Sequence, residues 1–287
     1  MASVSTTARR GAARLPGSGC GVPRARGPAP KDMTKHRGES NVSVQQYDKI
    51  GEAFEGFKSL PLTQYAEVPG FLALVGDVRG KSVLDLASGT GFYSREFKRR
   101  GAEDVLGIDI SSEMVAAARE SEERDPLGVR YEVGDVAQLW PMEGEFDIVT
   151  GVQMLNYAED IAAMERMCRH VHRSLKPGGE FFALMQSPDY VFDKASLEKY
   201  GFLCEPTGEE TETGPRVRVT ALLDPPIEIV STAPRREVYE QCLRAAGFGE
   251  PAWVPLQVSE AGVRAFGADF WADFTANPPL EMLRCRA

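Results

Sequence analysis

Apolar and polar positions alternate in two distinct ways from residue 81 onward. Some runs are short and mainly apolar, as in strands buried on both faces of a sheet: 81–87, 104–110, 129–135, 146–152 and 180–185. Between them, apolar residues recur at the spacing of one helix face: 92–101, 111–123, 160–175 and 235–248. Strands that alternate with helices favour right-handed crossovers and a parallel sheet. We therefore predict a doubly wound α/β fold whose sheet is mostly parallel.

Two segments do not follow this alternation. Apolar side chains recur at helical spacing in residues 44–57, and a second short helix is predicted at 64–76. Residues 186–234 are rich in proline and contain the runs RVRVTALL and IEIVST, which predict irregular chain with two antiparallel strands. Residues 252–259 are predicted as another strand, and the tail beyond them as one further strand whose place in the sheet is open.

The first 43 residues have a different composition from the rest. They are rich in Gly, Ala, Pro, Arg and Ser, and residues 1–31 hold six basic residues and no acid. Such a segment buries too little apolar surface to offset its ordering entropy, so we predict that residues 1–43 are disordered. A targeting peptide and a start of translation at Met33 both stay open.

The remaining 44–287 are long enough for one sizeable core, and we expect them to form a single domain. Its core is predicted at 81–185 and 235–259. The segments 44–76 and 186–234 are predicted to cover the ligand cleft, because in open sheets of this kind ligands bind beyond the carboxyl ends of the strands.

Charge and apolar content narrow the class of partner. Residues 32–287 carry 27 basic and 42 acidic side chains. Binding to nucleic acid depends on Lys and Arg at the phosphates, so we expect no nucleic-acid partner and instead a small molecule. No run of about 18 apolar residues occurs, which predicts no membrane segment. We expect a monomer or a homodimer.

The five cysteines are scattered, odd in number and never spaced as CxxC. This pattern favours free thiols in a reducing compartment, and we predict a cytoplasmic protein. The three histidines are His36, His170 and His172, and the last two fall near the end of a predicted helix, where we expect a surface role. No metal site is predicted.

A glycine-containing loop follows the first predicted strand. The segment SVLDLASGTGFYS, residues 82–94, has two glycines that suit a close backbone approach to a phosphate or another ligand, or a tight turn. A phosphate-binding P-loop is excluded because GDVRGKS, residues 76–82, is one residue short and precedes its strand. The dinucleotide fingerprint GxGxxG has Ser94 as its last position, which weakens an NAD(P)-dependent oxidoreductase without excluding it.

Five motifs in order resemble those of class I S-adenosylmethionine (SAM)-dependent methyltransferases, in particular methyltransferase domains of types 11, 12 and 25: VLDLASGTGFYS, VLGIDISSEMVAAAR, VRYEVGDVAQL, EFDIVTGVQMLNY and LKPGGEFF. The resemblance covers residues 81–185 and extends to 235–248. It implies a Rossmann-like sheet of seven strands with helices on both faces, a cap after the fifth strand, and SAM as the cofactor. The segment YDKIGEAFEGFKSLPLTQYAEVPG resembles, more loosely, toxoflavin (azapteridine)-type small-molecule methyltransferases.

The resemblance also implies which residues contact SAM. Gly89 and Gly91 would let the backbone approach the amino-acid part of SAM, which Asp85 would help to position through the loop. Asp109, at the tip of the second strand, would accept both ribose hydroxyls.

The adenine would lie beyond the third strand. Asp135 would accept its exocyclic amine, and the Val136 N–H would face the ring. Ile110 and Met114 would sandwich the adenine. The predicted cofactor residues are Asp85, Ala87, Gly89, Gly91, Asp109, Ile110, Met114, Asp135, Val136 and Gln153, with Leu139 or Trp140 as a cover.

Methyl transfer is an in-line displacement, which an enzyme promotes by aligning the reactants and excluding water. A nitrogen acceptor needs no strong base, whereas a hydroxyl usually does. No histidine falls at a predicted strand tip, so we predict a nitrogen of a heterocyclic or amine metabolite, in secondary metabolism. O-methylation, an NAD(P)-dependent oxidoreductase and a non-catalytic SAM-binding protein stay as alternatives. The predicted catalytic residues are Gln153, Asn156, Tyr157 and Tyr47.

Overall fold

The computed structural model describes residues 56–138, 142–158 and 160–287. All of them belong to one compact unit, Ser40–Ala287. The predicted disordered extension, Tyr47, Leu139 and Trp140 lie outside the described residues, as does nearly all of the helix predicted at 44–57.

The described residues form ten strands: β1 (Ser82–Leu86), β2 (Asp104–Asp109), β3 (Arg130–Val133), β4 (Phe146–Val152), β5 (Leu175–Gln186), β6 (Phe202–Glu210), β7 (Pro215–Ala221), β8 (Ile227–Thr232), β9 (Ala252–Pro255) and β10 (Leu280–Arg286). They also form seven α-helices: α1 (Val68–Val75), α2 (Phe92–Arg99), α3 (Ser112–Arg124), α4 (Ile161–Ser174), α5 (Arg236–Ala246), α6 (Glu260–Phe266) and α7 (Ala272–Ala276). A π-helical turn, Thr63–Glu67, leads directly into α1.

Seven strands form the central sheet in the order β3-β2-β1-β4-β5-β10-β9. Strands β1 to β5 pair in parallel, and β10 is antiparallel to both of its neighbours. The predicted Rossmann-like, mostly parallel, doubly wound sheet is thereby confirmed. Its two faces are both covered, because the adjacent residues Phe181 and Phe182 of β5 point into different apolar clusters. Phe97 of α2 packs in the Phe182 cluster and Met164 of α4 in the Phe181 cluster.

The segment after β5 forms a small antiparallel sheet in the order β6-β7-β8. We predicted two strands here, and the structure has three. Strand β6, with the sequence FLCEPTGEE, was missed because its proline, glycine and three glutamates hide the strand pattern. Its pairing with β7 shifts register between Pro206 and Glu210, which explains how the strand accommodates the proline.

The tail does supply a last strand, β10, and the structure shows its place between β5 and β9. Residues 176–179, with the turn-like sequence KPGG, lie within β5, opposite a register shift between Phe146 and Ile148 of β4. Within the described ranges, no helix is long and apolar enough to cross a membrane.

A buried carboxyl joins three of these elements. Asp85 of β1 is 2% exposed and accepts hydrogen bonds from Ser94 Oγ of α2, at 2.6 Å, and from Thr150 Oγ1 of β4, at 2.8 Å. Burial raises the pKa of the Asp85 carboxyl to about 6, even though the two hydroxyl donors act in the opposite direction.

This raised pKa predicts a pH-dependent effect of Asp85→Asn. The unfolded chain releases the proton near the ordinary value of 3.8, whereas the folded chain holds it until about 6. Between these values the folded state binds more protons, so the carboxyl lowers the free energy of unfolding as pH rises. In urea unfolding, the stability of Asp85→Asn relative to the parent should increase by about 2 kcal/mol from pH 4 to pH 7. A difference in stability between the two proteins that does not change with pH would contradict the raised pKa of Asp85.

The turn between β1 and α2 depends on one glycine for space. Gly91 has a φ of 85°, and a Cβ built on it would lie 2.7 Å from Cζ of Tyr131, a residue of β3. Gly80 also has a positive φ, of 67°, but nothing lies within 4 Å of the same position.

These two glycines form a matched pair for substitution. Gly80→Ala should lower the free energy of unfolding by about 1 kcal/mol, the cost of a left-handed conformation for alanine. Gly91→Ala should lower it by about 3 kcal/mol or more, because the overlap with Tyr131 adds to the same backbone cost. Urea unfolding of both variants tests this, and equal losses would show that the Tyr131 contact relaxes at little cost.

Candidate active site

A cleft of about 410 Å³ lies at the carboxyl ends of the first four strands. Residues that follow β1, β2, β3 and β4 line one part of it: Ala87, Gly89, Asp109, Ile110, Asp135, Val136 and Gln153. Residues of the 56–67 segment and of the small sheet line the other part: Phe57, Lys58, Leu62, Thr63, Glu67, Phe202, Cys204, Val219, Ile229 and Ser231. The volume suits a small-molecule site.

Two strand ends at the cleft adopt an unusual backbone. Ala87 after β1 and Gln153 after β4 have φ values of 54° and 53°, and they are the non-glycine residues with positive φ in the described part of the chain. The Gln153 N–H donates to Leu184 O at 2.7 Å, which fixes the turn to β5. Strained backbone of this kind clusters at functional sites, and both residues, which are among the predicted cofactor residues, line the cleft.

Asp109 at the end of β2 is the most constrained carboxylate of the cleft. It is 8% exposed, and its Oδ2 accepts from the Gly89 N–H at 2.8 Å while Oδ1 accepts from the Ser111 N–H at 2.9 Å. The predicted residue therefore does lie at the cleft, and its carboxylate also holds the loop after β1 against the start of α3. Ser111 in turn is the N-cap of α3, because its Oγ accepts from the Met114 N–H at 3.2 Å.

Two of the predicted cofactor residues do not line the cleft. Asp85 lies beneath the loop with both of its oxygens bonded to Ser94 and Thr150, so any effect on a ligand passes through the loop. A side chain at position 91 would collide with the ring of Tyr131. The close approach that requires Gly91 is therefore made by this ring. No local pattern indicates this contact, because Tyr131 lies 40 positions away along the chain.

Hydrogen bonds within the loop after β3, and a contact from α4, fix the conformation of this loop. Asp135 Oδ1 accepts from the Ala137 N–H at 2.8 Å, and its Oδ2 accepts from Gln138 Nε2 at 3.1 Å. His170 Nδ1 lies 2.6 Å from the Val136 carbonyl oxygen. The expected surface role of His170 is therefore wrong, because the half-buried ring fixes a residue of the cleft.

His172 is half-buried as well and packs edge-on against Phe248, away from the cleft. Met114 is buried and lines the cleft together with Ile110, and their predicted contact with an adenine stays a prediction.

The residues after β4 form a 3₁₀ turn, Leu155–Tyr157, that brings Asn156 and Tyr157 to the cleft beside Gln153. Asn156 is 3% exposed, and its side-chain Oδ1 has no hydrogen-bond partner in the part of the chain that the structure describes. The structure thus brings together three of the four predicted catalytic residues, and the fourth, Tyr47, lies outside the described residues.

Polar groups from the π-helical turn were missed by the sequence analysis. Glu67 Oε1 accepts from the Tyr93 hydroxyl at 3.1 Å, and Oε2 accepts from Thr63 Oγ1 at 3.5 Å. Burial and then the neighbouring Glu67 carboxylate raise the pKa of Tyr93 well above its ordinary value. Tyr93 is therefore a hydrogen-bond donor at neutral pH, and Glu67 is a carboxylate within the cleft.

Lys58 supplies a cation at the same end. Its Nζ lies 4.5 Å from the ring centroid of Phe92 and 4.8 Å from that of Tyr93. The sequence pattern did not predict this contact, because Phe92 and Tyr93 belong to α2 and approach Lys58 only in the folded chain.

The family model described as a methyltransferase domain matches residues 83–179. A ubiquinone biosynthesis O-methyltransferase of Pseudomonas aeruginosa is 38% identical over 104 residues, which are 36% of this chain and 43% of that protein. The chain thus spans less than half the length of the curated relatives it matches.

Solved structures share the fold at low sequence identity. A SAM-dependent methyltransferase of Mesorhizobium loti has a TM-score of 0.58 and 22% identity, over 81% of this chain and 100% of that chain. The cyclase SpnF has a TM-score of 0.54 and 20% identity, over 85% and 94%. At such identities the likeness concerns the fold alone. Residues 83–179 thus match a methyltransferase domain, and the strand order of the sheet is the Rossmann-like order of the class I methyltransferase fold.

Proposed function

We propose that this protein transfers a methyl group from SAM to a small-molecule acceptor within the cleft. The observation that supports this most strongly is the continuity of the cleft, which joins the acids at the strand ends to the mainly apolar surface of the cap. A cofactor and a second molecule placed in one continuous space meet in the geometry that displacement requires. SAM, when bound, supplies a methyl group activated by a positively charged sulfur.

The residues present fit SAM better than a dinucleotide. The charged side chains that line the described cleft are Glu67, Asp109, Asp135, Lys58 and Arg166, so acids exceed bases. That balance suits a cation more than a pyrophosphate. The Asp109 carboxylate accepts from the Gly89 and Ser111 N–H groups at the cleft, and a carboxylate in this position suits a ribose diol. Ser94, in place of the third glycine of a dinucleotide site, donates to Asp85 and fills the space under the loop.

The acceptor side is built for positioning and for the exclusion of water. Phe202, Val219 and Ile229 of the small sheet present an apolar wall to the cleft. A dry, apolar surface strengthens the few polar contacts made there and keeps water from competing for the methyl group. We propose that residues 44–287 act as one domain, in which this wall and the 44–76 segment form the cap.

We retain nitrogen as the proposed methyl acceptor, because the cleft contains no histidine in the described residues. Glu67 supports oxygen as the second candidate, since its carboxylate lies in the cleft and a hydroxyl acceptor needs a base. The curated relatives named above are O-methyltransferases. A toxoflavin-type acceptor and a place in secondary metabolism stay predictions.

Two substitutions at opposite ends of β2 test the proposed cofactor site. Asp109→Ala should weaken binding of S-adenosylhomocysteine roughly 10- to 100-fold in calorimetry, the loss expected for hydrogen bonds to a charged group. Asp104→Ala, at the other end of β2, removes only an exposed ion pair with Arg130 and should leave the affinity unchanged. Failure of the parent protein to bind at concentrations well above micromolar would overturn the proposal, and binding of NAD(H) instead would favour the oxidoreductase.

A second test identifies the acceptor atom. The protein is incubated with methyl-labelled SAM and a metabolite extract, and mass spectrometry locates the label on any product. We expect a labelled nitrogen compound whose formation Glu67→Gln leaves largely intact. A labelled hydroxyl compound whose formation falls strongly in Glu67→Gln would favour oxygen instead. Binding of SAM with no labelled product from any extract would favour a non-catalytic binding protein.

We further propose a cytoplasmic monomer or homodimer. The four cysteines in the described ranges are all free, which is compatible with a reducing compartment. Light scattering on the purified protein gives the oligomeric state directly.

A further inference from the structure

Two residues that line the cleft each carry a buried polar atom without a partner among the described residues, Ser88 Oγ after β1 and Asn156 Oδ1 after β4, and only the second lies on the side of the small sheet. Asn156 lies in the 3₁₀ turn after β4, is 3% exposed and lines the cleft. Its Oδ1 accepts no hydrogen bond. A buried acceptor without a donor destabilises a fold, and such atoms are rare in native proteins unless a ligand or a water pairs with them.

A second buried asparagine shows what ordinary pairing looks like in this chain. Asn277 is 4% exposed, its Oδ1 accepts from the Val191 N–H at 3.1 Å, and its Nδ2 donates to the Val191 carbonyl at 2.8 Å. Both polar ends of that side chain are satisfied by one residue. Asn156 therefore stands out through its missing partner, at a similar degree of burial.

The neighbourhood of Asn156 points toward the acceptor half of the cleft. The turn that carries it packs against β8 of the cap sheet, which contributes Ile229 to the apolar wall. The acids assigned to the ribose and the adenine follow β2 and β3, on the other side of β1 from β4. A molecule that reaches Asn156 from the wall would be apolar over most of its surface and would bring one donor.

We infer that Asn156 Oδ1 accepts a hydrogen bond from an N–H or O–H group of an apolar acceptor, and that this contact selects acceptors that carry such a donor. The inference rests on the proposed function, because it assigns the acceptor half of the same cleft. It makes Asn156 a residue that determines specificity, and it specifies the acceptor as a compact, mainly apolar compound with one donor group.

Matched pairs of small compounds test this selection without knowledge of the natural acceptor. The protein is loaded with S-adenosylhomocysteine and titrated with indole or benzofuran, and with phenol or fluorobenzene, by saturation-transfer NMR. Within each pair the shape is similar and only the first member has a donor. We expect the donor-bearing member to bind roughly 3- to 10-fold more tightly, the range of one neutral hydrogen bond.

Asn156→Leu keeps a branched side chain of similar shape and removes the acceptor atom. In this variant the preference within each pair should disappear, while the affinity for S-adenosylhomocysteine stays unchanged. Equal binding of both members to the parent, or a preference that persists in Asn156→Leu, would overturn the inference. Absence of binding by all four compounds at millimolar concentration would contradict the apolar class.

Cofactor binding separates failure of this inference from failure of the proposed function. If S-adenosylhomocysteine does not bind the parent protein, the proposed function fails as a whole. If it binds the parent and its affinity falls in Asn156→Leu, the side chain contacts the cofactor and the inference alone is wrong.

Thermal unfolding supplies a readout that needs no acceptor. Asn156→Leu should leave the melting temperature of the free protein unchanged or raise it, because it removes an unpaired buried atom. Asn277→Leu should lower the melting temperature clearly, because it breaks two hydrogen bonds to Val191. A comparable loss in both variants would show that Asn156 is structural and would contradict the inference.

Discussion

The geometry of the cleft depends on the Asp109 carboxylate and the two backbone N–H groups that it holds. One of them belongs to Gly89 in the loop after β1, and the other to Ser111 before α3. A nearly buried charge is tolerated only when hydrogen bonds replace the water it has lost, so neither loop can move far without exposing an unpaired carboxylate. The edge of the sheet thus carries a negative charge in a fixed position, which is the arrangement that a diol or a cation requires.

The two parts of the cleft are lined by different kinds of groups. The strand ends use backbone groups and acids in a constrained conformation, as at Ala87 and Gln153. The cap contributes an apolar wall with few polar atoms, and Tyr93 connects the two because its ring packs in the core while its hydroxyl binds Glu67 of the other segment. A methyltransferase and a cyclase are among the solved structures that share this fold.

The parallel part of the sheet and the acids at its edge were predictable because both follow from local patterns. Buried strands produce apolar runs, and ligands bind where parallel strands end, so the positions of Asp109 and Asp135 at the edge of the sheet follow from local patterns, whereas the roles predicted for them rest on the resemblance. What could not be predicted rests on contacts between distant residues. The role of Gly91 depends on Tyr131 of β3, and the position of Glu67 depends on Tyr93 of α2. Strand β6 was missed because its composition resembles a loop, and only pairing with β7 makes it a strand.

The position of β10 has a consequence for how the chain is made. Strand β9 pairs with no strand other than β10 among those described, and β10 covers the edge of β5. During synthesis, residues 280–286 emerge after all the other strands, so β5 presents an open edge, with Phe181 and Phe182 beside it, until they arrive. An exposed edge next to large apolar side chains is a site of intermolecular pairing. The pairing of β10 with β5 therefore removes an edge at which two copies of the chain could otherwise pair with each other.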